Sequence, residues 1–267
     1  MNPMHIEANA IERALYQLNQ ASEHHPIAIE VVEQTGSTNA DLMQRLKTLQ
    51  APTLLVARHQ TAGKGRAGRS WISSPDGVLT FSLAWPFHAQ AQTLMGLPLA
   101  VGVAVAERLQ QLGVQVKLKW PNDILKENKK LGGILVESQS SNAQQTWAVI
   151  GIGLNLLVPD ELEQSIGQQV ADSAWLAQMD RNRLLAELLQ SLQAVLLEFA
   201  IQGFPAFVDR WNRLHAHAQH PVILLEHGVV QHNGIALGVD QQGCLLLQTE
   251  NACLTIHSGD VSLRPLP

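Results

Sequence analysis

The chain has 267 residues, 46% hydrophobic and 15% charged, enough to bury one large core or a large core and a small one. Eighteen basic against 23 acidic residues give a net charge of −5, so nothing global attracts nucleic acid or an anionic membrane, and any cationic site must be local. Two cysteines, Cys244 and Cys253, exclude a disulfide framework and suit free thiols in a reducing cytosol.

The first residues, MNPMHIEANAIERALYQL, carry acids early and lack a basic region followed by an apolar run, so no secretory signal is expected. The apolar stretch LMGLPLAVGVAVA at 94–106 is too short for a bilayer. A cytoplasmic protein with no membrane partner is the expectation.

In chain order, an amphipathic helix over roughly 6–20 is followed by a linker containing His24 and His25 and a strand, IAIEVVEQ. TGSTN precedes a helix, ADLMQRLKTLQ, which Pro52 should stop, and Thr38 with Asp41 fits a capping box. TLLVARHQ reads as a strand that feeds QTAGKGRAGRSW at 60–71. SSPDG is a turn, VLTFSLAW a strand, and an apolar helix from about 95 to 112 ends at Gly113. VQVKLKW, LGGILVES and WAVIGIGLNL are strand-like, with ENKK and SSNAQQ as turns. RNRLLAELLQSLQAVLLEFA has helical spacing behind a cap at Asp180, and FPAFVDRWNRLHA is a further helix. From Pro221 the texture becomes short strands broken by NG, QQG and SGD. The expected architecture is an α+β domain over 1–218 and a small all-β domain over 219–267.

Gly63, Gly65 and Gly68 match the G-x-G-x-x-G spacing of a dinucleotide turn, yet no helix opens on the third glycine, because RSWISSPDG leads into a strand. A Walker loop also fails, since Lys64 precedes Gly65 and not Ser or Thr. What remains is charge. Between Asp41 and Asp76 there is no acid, while Arg45, Lys47, Arg58, Lys64, Arg66 and Arg69 fall in that window. Cations alternating with glycines suit an anion clamp that closes on its ligand.

TGSTNADL, QTAGKGRAGRSW, KWPNDILKENKKLGGILVES and VIGIGLNL occur in the order and spacing of the biotin protein ligases, which the chain resembles from about residue 30 to its end. The resemblance implies a mixed and antiparallel sheet packed with helices, plus a C-terminal SH3-like β barrel. It implies two steps. Biotin's carboxylate attacks the α-phosphate of ATP to give biotinyl-5′-AMP, and a lysine of a biotin carboxyl carrier protein then takes the biotinyl group. Mg²⁺ is the implied counter-ion. Some members add an N-terminal DNA-binding module and repress transcription. The short segment before the first matching strand leads to the expectation of a monofunctional enzyme without a DNA partner, with a homodimer left open.

By the same resemblance Ser37, Thr38, Asn39 and Gln60 contact the ureido ring. Gly63, Lys64, Gly65 and Arg66 form the clamp, with Arg66 gripping biotin carboxylate and α-phosphate; Lys64 stands where the family usually has Arg. Trp71 stacks on adenine or walls the pocket. Asn122 faces adenine. Asp123 orients the acceptor amine or helps to hold Mg²⁺, and Lys130 reaches carboxylate and phosphate, so Arg66, Lys130 and Asp123 are the catalytic candidates. Gly133, Gly151, Gly153 and Asn155 line the ligand. His215, His217 and His220 are read as a polar helix end and not a metal site, and the cysteines as lacking a nucleophile's surroundings. Two rivals remain: a lipoate or octanoate transferase, and a biotin sensor without catalysis. Biotin-dependent exchange of pyrophosphate into ATP separates them.

Overall fold

A computed structural model describes residues 5–19, 26–142, 144–158, 170–259 and 261–266. The linker expected at His24 and His25, and Asp260 of the SGD turn, lie outside these residues. Seven strands form one mixed sheet in the order β1-β2-β3-β7-β6-β5-β4. They are β1 (Ala28–Thr35), β2 (Thr53–Gln60), β3 (Val78–Phe87), β4 (Lys117–Lys119), β5 (Asp123–Lys126), β6 (Lys129–Asn142) and β7 (Gln145–Asn155). β1 and β2 are parallel; the other pairs are antiparallel.

One face of the sheet carries the main core. α1 (Ala8–Leu18), α3 (Leu97–Gln111) and α5 (Arg181–Gln202) stack against it, burying Leu79, Phe81, Leu83, Ile150, Ile152 and Leu154 from β3 and β7. Among the described residues α5 alone is long and apolar enough to cross a bilayer, and its apolar residues are the centre of this core. Asp180 caps it as expected, its Oδ1 accepting from Arg183 N at 2.9 Å. The short α4 (Ala174–Gln178) precedes α5, and α6 (Val208–Leu214) follows it.

On the opposite face, α2 (Thr38–Arg45) and the following Leu46 cover one end, with Leu42 and Leu46 packed on Leu55, Ala84, Trp147 and Val149. The rest of that face is left for the site. Because side chains alternate along a strand, the open face receives Thr80 and Ser82 of β3, Gly151, Gly153 and Asn155 of β7, and Gly133, Leu135 and Glu137 of β6. The register confirms the rows: Thr80 pairs with Gly153 and Gly153 with Gly133, while Ser82 pairs with Gly151 and Gly151 with Leu135.

The C-terminal part is a five-stranded antiparallel sheet in the order β11-β10-β9-β8-β12, with β8 (Pro221–Glu226), β9 (Val229–Val239), β10 (Leu245–Gln248), β11 (Cys253–Ile256) and β12 (Val261–Pro265). It is tied to the larger sheet by Trp120 Nε1, which donates to Gly243 O at 3.1 Å, and by Asn212, whose Oδ1 accepts from Val239 N at 2.9 Å.

Four local expectations are corrected. α2 starts two residues earlier than ADLMQRL and ends at Arg45, well before Pro52, so Ser37 and not Thr38 is its cap; Ser37 Oγ accepts from Ala40 N at 3.5 Å. Asp41 instead accepts from the Thr35 hydroxyl, and the Thr38 hydroxyl points to Ser82 and Gln60 at the pocket wall. A strand not expected between VQVKLKW and LGGILVES is present: the chain turns at Trp120–Asn122 with a cis Trp120–Pro121 bond, Asp123 begins β5, and the hairpin back to β6 is made by Glu127 and Asn128 at φ 52° and 61°. Asn233-Gly234 is not a turn but runs inside β9, where a Cβ on Gly234 would strike the Gln248 carbonyl of β10; His227-Gly228 turns the chain.

Candidate active site

A cavity of about 820 Å³ opens on the uncovered face of the large sheet. Its lining includes Ser37, Thr38, Asn39, Gln60, Lys64, Gly65, Arg66, Trp71, Asn122, Asp123, Lys130, Gly133, Gly151, Gly153 and Asn155. The structure thus gathers every sequence-derived candidate but Gly63. That glycine is buried behind the loop, where a Cβ would strike the Trp71 carbonyl and come within 3.0 Å of Gln60 Nε2.

The cavity has two unlike ends. At the α2 end the groups are neutral. Gln60 Oε1 accepts from Thr38 N at 2.8 Å, Thr38 Oγ1 lies 2.6 Å from Ser82 Oγ, and Ser82 Oγ donates to Asn39 Oδ1 at 2.6 Å. All four side chains are buried. Ser82 and Thr80 were not singled out in the sequence, although polar residues two apart in the apolar strand VLTFSLAW are a visible signal.

The other end is cationic. Among the described residues, Lys64, Arg66, Arg69, Lys119, Lys130 and Arg264 line the cavity against a single carboxylate, Asp123. Asp123 Oδ1 sits 2.6 Å from Lys130 Nζ, and Oδ2 sits 3.4 Å from Lys119 Nζ. Burial by itself would raise the Asp123 carboxyl, but Lys130 and then Lys119 outweigh it and hold the group below the ordinary carboxylate range. Asn122 is fixed by donating Nδ2 to Ile134 O at 2.8 Å, and Asn155 Nδ2 donates to Lys130 O at 3.2 Å.

Between the ends lies a floor with no side chains. Gly133 and Gly153 are cross-strand partners, and the Trp71 indole rests on them. A Cβ on Gly153 would overlap the ring carbons and stand 2.6 Å from Nε1. Lys130 Nζ is 5.7 Å from the ring centre, within cation–π range. Trp71 thereby walls the cavity in this structure, one of the two roles left open above.

The glycine loop is a small hairpin. Gly65 N donates to Arg69 O at 2.7 Å, Trp71 N donates to Gly63 O at 2.8 Å, and the tip passes through Ala67 and Gly68 at φ 54° and 69°. Arg66 Nη1 donates to Asn122 Oδ1 at 3.3 Å and Nη2 to Gly259 O at 2.6 Å. The C-terminal sheet therefore meets the clamp directly, and its β12 residues 261–265 line the cavity, a contribution that sequence reading missed.

The histidine motif is not a polar helix end. His215 and His217 are buried, and His215 stacks on Trp211 with ring centres 4.7 Å apart. Burial first, then His217 and His220, push the His215 imidazole down to about 3. No group of three or more potential metal ligands occurs among the described residues. Cys244 is buried with its thiol raised by burial and by Asp240, the opposite of what activates a nucleophile, whereas Cys253 is exposed.

A sheet with a bare glycine floor, a neutral recognition end and a cationic end beneath a glycine-rich clamp defines an acid-activating ligase. The chain matches the Biotin/lipoate A/B protein ligase family over residues 29–155 and the Biotin protein ligase C terminal domain over residues 221–264. It is 33% identical to the bifunctional ligase/repressor BirA of Escherichia coli over 89% of this chain and 74% of that protein. It is likewise 33% identical to the biotin–acetyl-CoA-carboxylase ligase of Mycobacterium tuberculosis over 87% of this chain and 88% of that one. Its fold superposes on the biotin protein ligase of Aquifex aeolicus in complex with biotin and ATP with a TM-score of 0.73 at 28% identity, covering 90% and 99% of the two chains. The chain belongs to the biotin protein ligase family.

Proposed function

We propose that this chain activates biotin with ATP to biotinyl-5′-AMP and transfers the biotinyl group to the ε-amine of a lysine on a biotin carboxyl carrier protein. The observation that carries this reading is the polarity of one cavity: neutral hydroxyls and amides at one end, six cations at the other. Biotin is built the same way, with a neutral cyclic urea at one end and a carboxylate at the other. A cyclic urea needs acceptors for its N–H groups and donors for its carbonyl, and Ser37, Thr38, Asn39 and Gln60 supply both kinds. The alkyl chain between crosses the glycine floor beside Trp71, and the carboxylate arrives near Lys130 and Arg66.

In the first step a carboxylate oxygen bonds to the α-phosphorus while the bond from that phosphorus to pyrophosphate breaks. Two anions must approach each other, so the six cations facing them lower the barrier by screening charge that grows in the transition state. Arg66 is the one cation on the clamp tied to both Asn122 and the C-terminal sheet. We assign it to the carboxylate and α-phosphate, Asn122 to the adenine side and Lys130 to the phosphate. Mg²⁺ enters as part of the ATP substrate. Among the described residues Asp123 is the one acidic side chain lining the cavity and is already held by two lysines, so the described residues do not form a resident metal site.

In the second step the neutral lysine nitrogen bonds to the acyl carbon, AMP departs with the anhydride oxygen, and the proton shed by the nitrogen passes to solvent. Asp123, kept ionised by its two lysines, accepts a hydrogen bond from the incoming amine and orients it. We place the reaction in the cytoplasm and assign the chain no DNA-binding role, a reading that the net charge of −5 supports.

The test is exchange of labelled pyrophosphate into ATP, followed by transfer to a purified carrier domain. Exchange that depends on biotin, with transfer to one lysine, is the expected result. Exchange driven by lipoate or octanoate alone would move the chain to the lipoate branch, and biotin binding without exchange would make it a sensor.

A further inference from the structure

Behind the neutral end of the cavity, a residue that does not line it completes a hydrogen-bond chain. Asn39 Nδ2 donates to Glu137 Oε2 at 2.9 Å and faces Leu135 O at 3.5 Å. Both partners accept only, so the amide cannot be reversed without setting oxygen against oxygen. Asn39 Oδ1 is therefore fixed toward Ser82, whose hydroxyl must donate its single proton there, at 2.6 Å. Ser82 Oγ then has only lone pairs for Thr38 Oγ1, 2.6 Å away, so the Thr38 proton goes to Ser82. Gln60 Oε1 is fixed as an acceptor by Thr38 N at 2.8 Å and lies 3.0 Å from Thr38 Oγ1. With the Thr38 proton committed elsewhere, these two oxygens are adjacent acceptors with no proton between them. A donor from a ligand is what the pair lacks. Gly151 is required for this arrangement, because a Cβ there would strike Asn39 Oδ1 and lie 3.0 Å from its Cγ.

We propose that Glu137 and Ser82 are positioning residues that set the direction of this chain, so that the wall presents paired acceptors to a ligand N–H. Resting on the reading that the cyclic urea of biotin occupies this end, the pair takes a ureido N–H, and Glu137 fixes the preference for an N–H over an ether or ester oxygen at that position. All protons run toward the carboxylate: from Thr38 to Ser82, from Ser82 to Asn39, from Asn39 to Glu137. If Glu137 is removed, the Asn39 amide is free to turn, the Ser82 and Thr38 hydroxyls can reverse, and the wall loses its sense.

The experiment measures equilibrium binding of biotin, and of an analogue with a ring oxygen in place of one ureido N–H, to the full chain and to Glu137→Ala, Glu137→Gln and Ser82→Ala. Wild type should bind biotin and reject the analogue by at least about 100-fold, since the analogue sets a third acceptor against two. Glu137→Ala and Ser82→Ala should weaken biotin by about tenfold or more and shrink the discrimination at least fivefold, with the KM for ATP within about twofold. Glu137→Gln, whose side-chain carbonyl still accepts from Asn39, should stay within about threefold of wild type on both measures. If wild type binds biotin but Glu137→Ala keeps its affinity and its discrimination, or Glu137→Gln fails as badly as Glu137→Ala, the proposal is overturned. If wild type binds no biotin, the functional reading beneath it falls as well.

Discussion

Replacing Gly153 by Ala tests whether the bare floor exists for Trp71. Gly153 lies inside β7, and an added Cβ overlaps the indole carbons and stands 2.6 Å from Nε1. Atoms in contact settle near ~3.5 Å, so the ring must withdraw by roughly 1 Å. Overpacking of this kind costs about 1–3 kcal/mol, and the lower end applies here because Trp71 is only half-buried. The larger effect is on chemistry: a displacement of this size at a positioned group costs about 100-fold in rate, or roughly 2.7 kcal/mol. The assay is biotin-dependent pyrophosphate exchange in wild type, Gly153→Ala, Trp71→Ala and the double variant. Without the indole the added methyl loses the three atoms nearest to it, so Gly153→Ala should cost about 100-fold alone and less than about threefold in the Trp71→Ala background. Equal costs in both backgrounds would refute the reasoning and assign the glycine to ligand approach alone.

Arg66→Ala should lower exchange by about 100-fold and release free biotinyl-5′-AMP, seen by chromatography of a filtrate; unchanged turnover and retention would remove Arg66 from the clamp. Asp123→Asn should slow transfer from preformed biotinyl-5′-AMP by about 100-fold while reducing exchange less, because the orienting role acts in the second step; single-turnover transfer decides it. Lys130→Ala should have the reverse pattern, with exchange the more damaged. His215, depressed to about 3 from 6.5, is neutral when folded, so its contribution is complete above pH 6.5 and is lost as pH falls toward 3, at about 1.4 kcal/mol per pH unit. Urea midpoints between pH 6.5 and 5 should fall more steeply for wild type than for His215→Phe, and equal slopes would contradict this.

The parts of the site legible in the sequence are those whose chemistry is confined to a short run. Ser37 to Asn39 precede a helix, the loop alternates glycine with cation, and GIGLN places two glycines and an amide on one face of a strand by simple alternation. β5 escaped because Pro121-Asn122 has the composition of a turn, and only its pairing with β4 and β6 makes DILK a strand. The buried histidines escaped for a related reason: HAHAQH is polar, and it is the stacking of His215 on Trp211 that takes it out of water. Glu137 was hidden deeper. In LVESQS it reads as the solvent-facing residue of an alternating strand, and its role depends on an amide nearly a hundred positions earlier.

The glycine spacing that suggested a dinucleotide turn has a different physical origin at each position. Gly63 is small because Gln60 and the Trp71 backbone close over it, Gly65 because a Cβ would stand 3.3 Å from the Arg69 carbonyl, and Gly68 because φ is 69° at the hairpin tip. None of the three serves a helix N-terminus, since the chain runs from the hairpin into β3 and no helical dipole faces the cavity from this side. The anion-binding power that a dinucleotide turn draws from backbone amides and a helix must here come from side-chain charge, and six cations around one carboxylate supply it. That substitution has a consequence for the clamp. A helix N-terminus is a fixed element of its fold, whereas the Arg66 guanidinium sits on a hairpin and donates to Asn122 and Gly259, so under the proposed function it would exchange such partners for a carboxylate and a phosphate. The same spacing thus puts the proposed anion site on side chains of a hairpin where a Rossmann turn would put it on backbone amides.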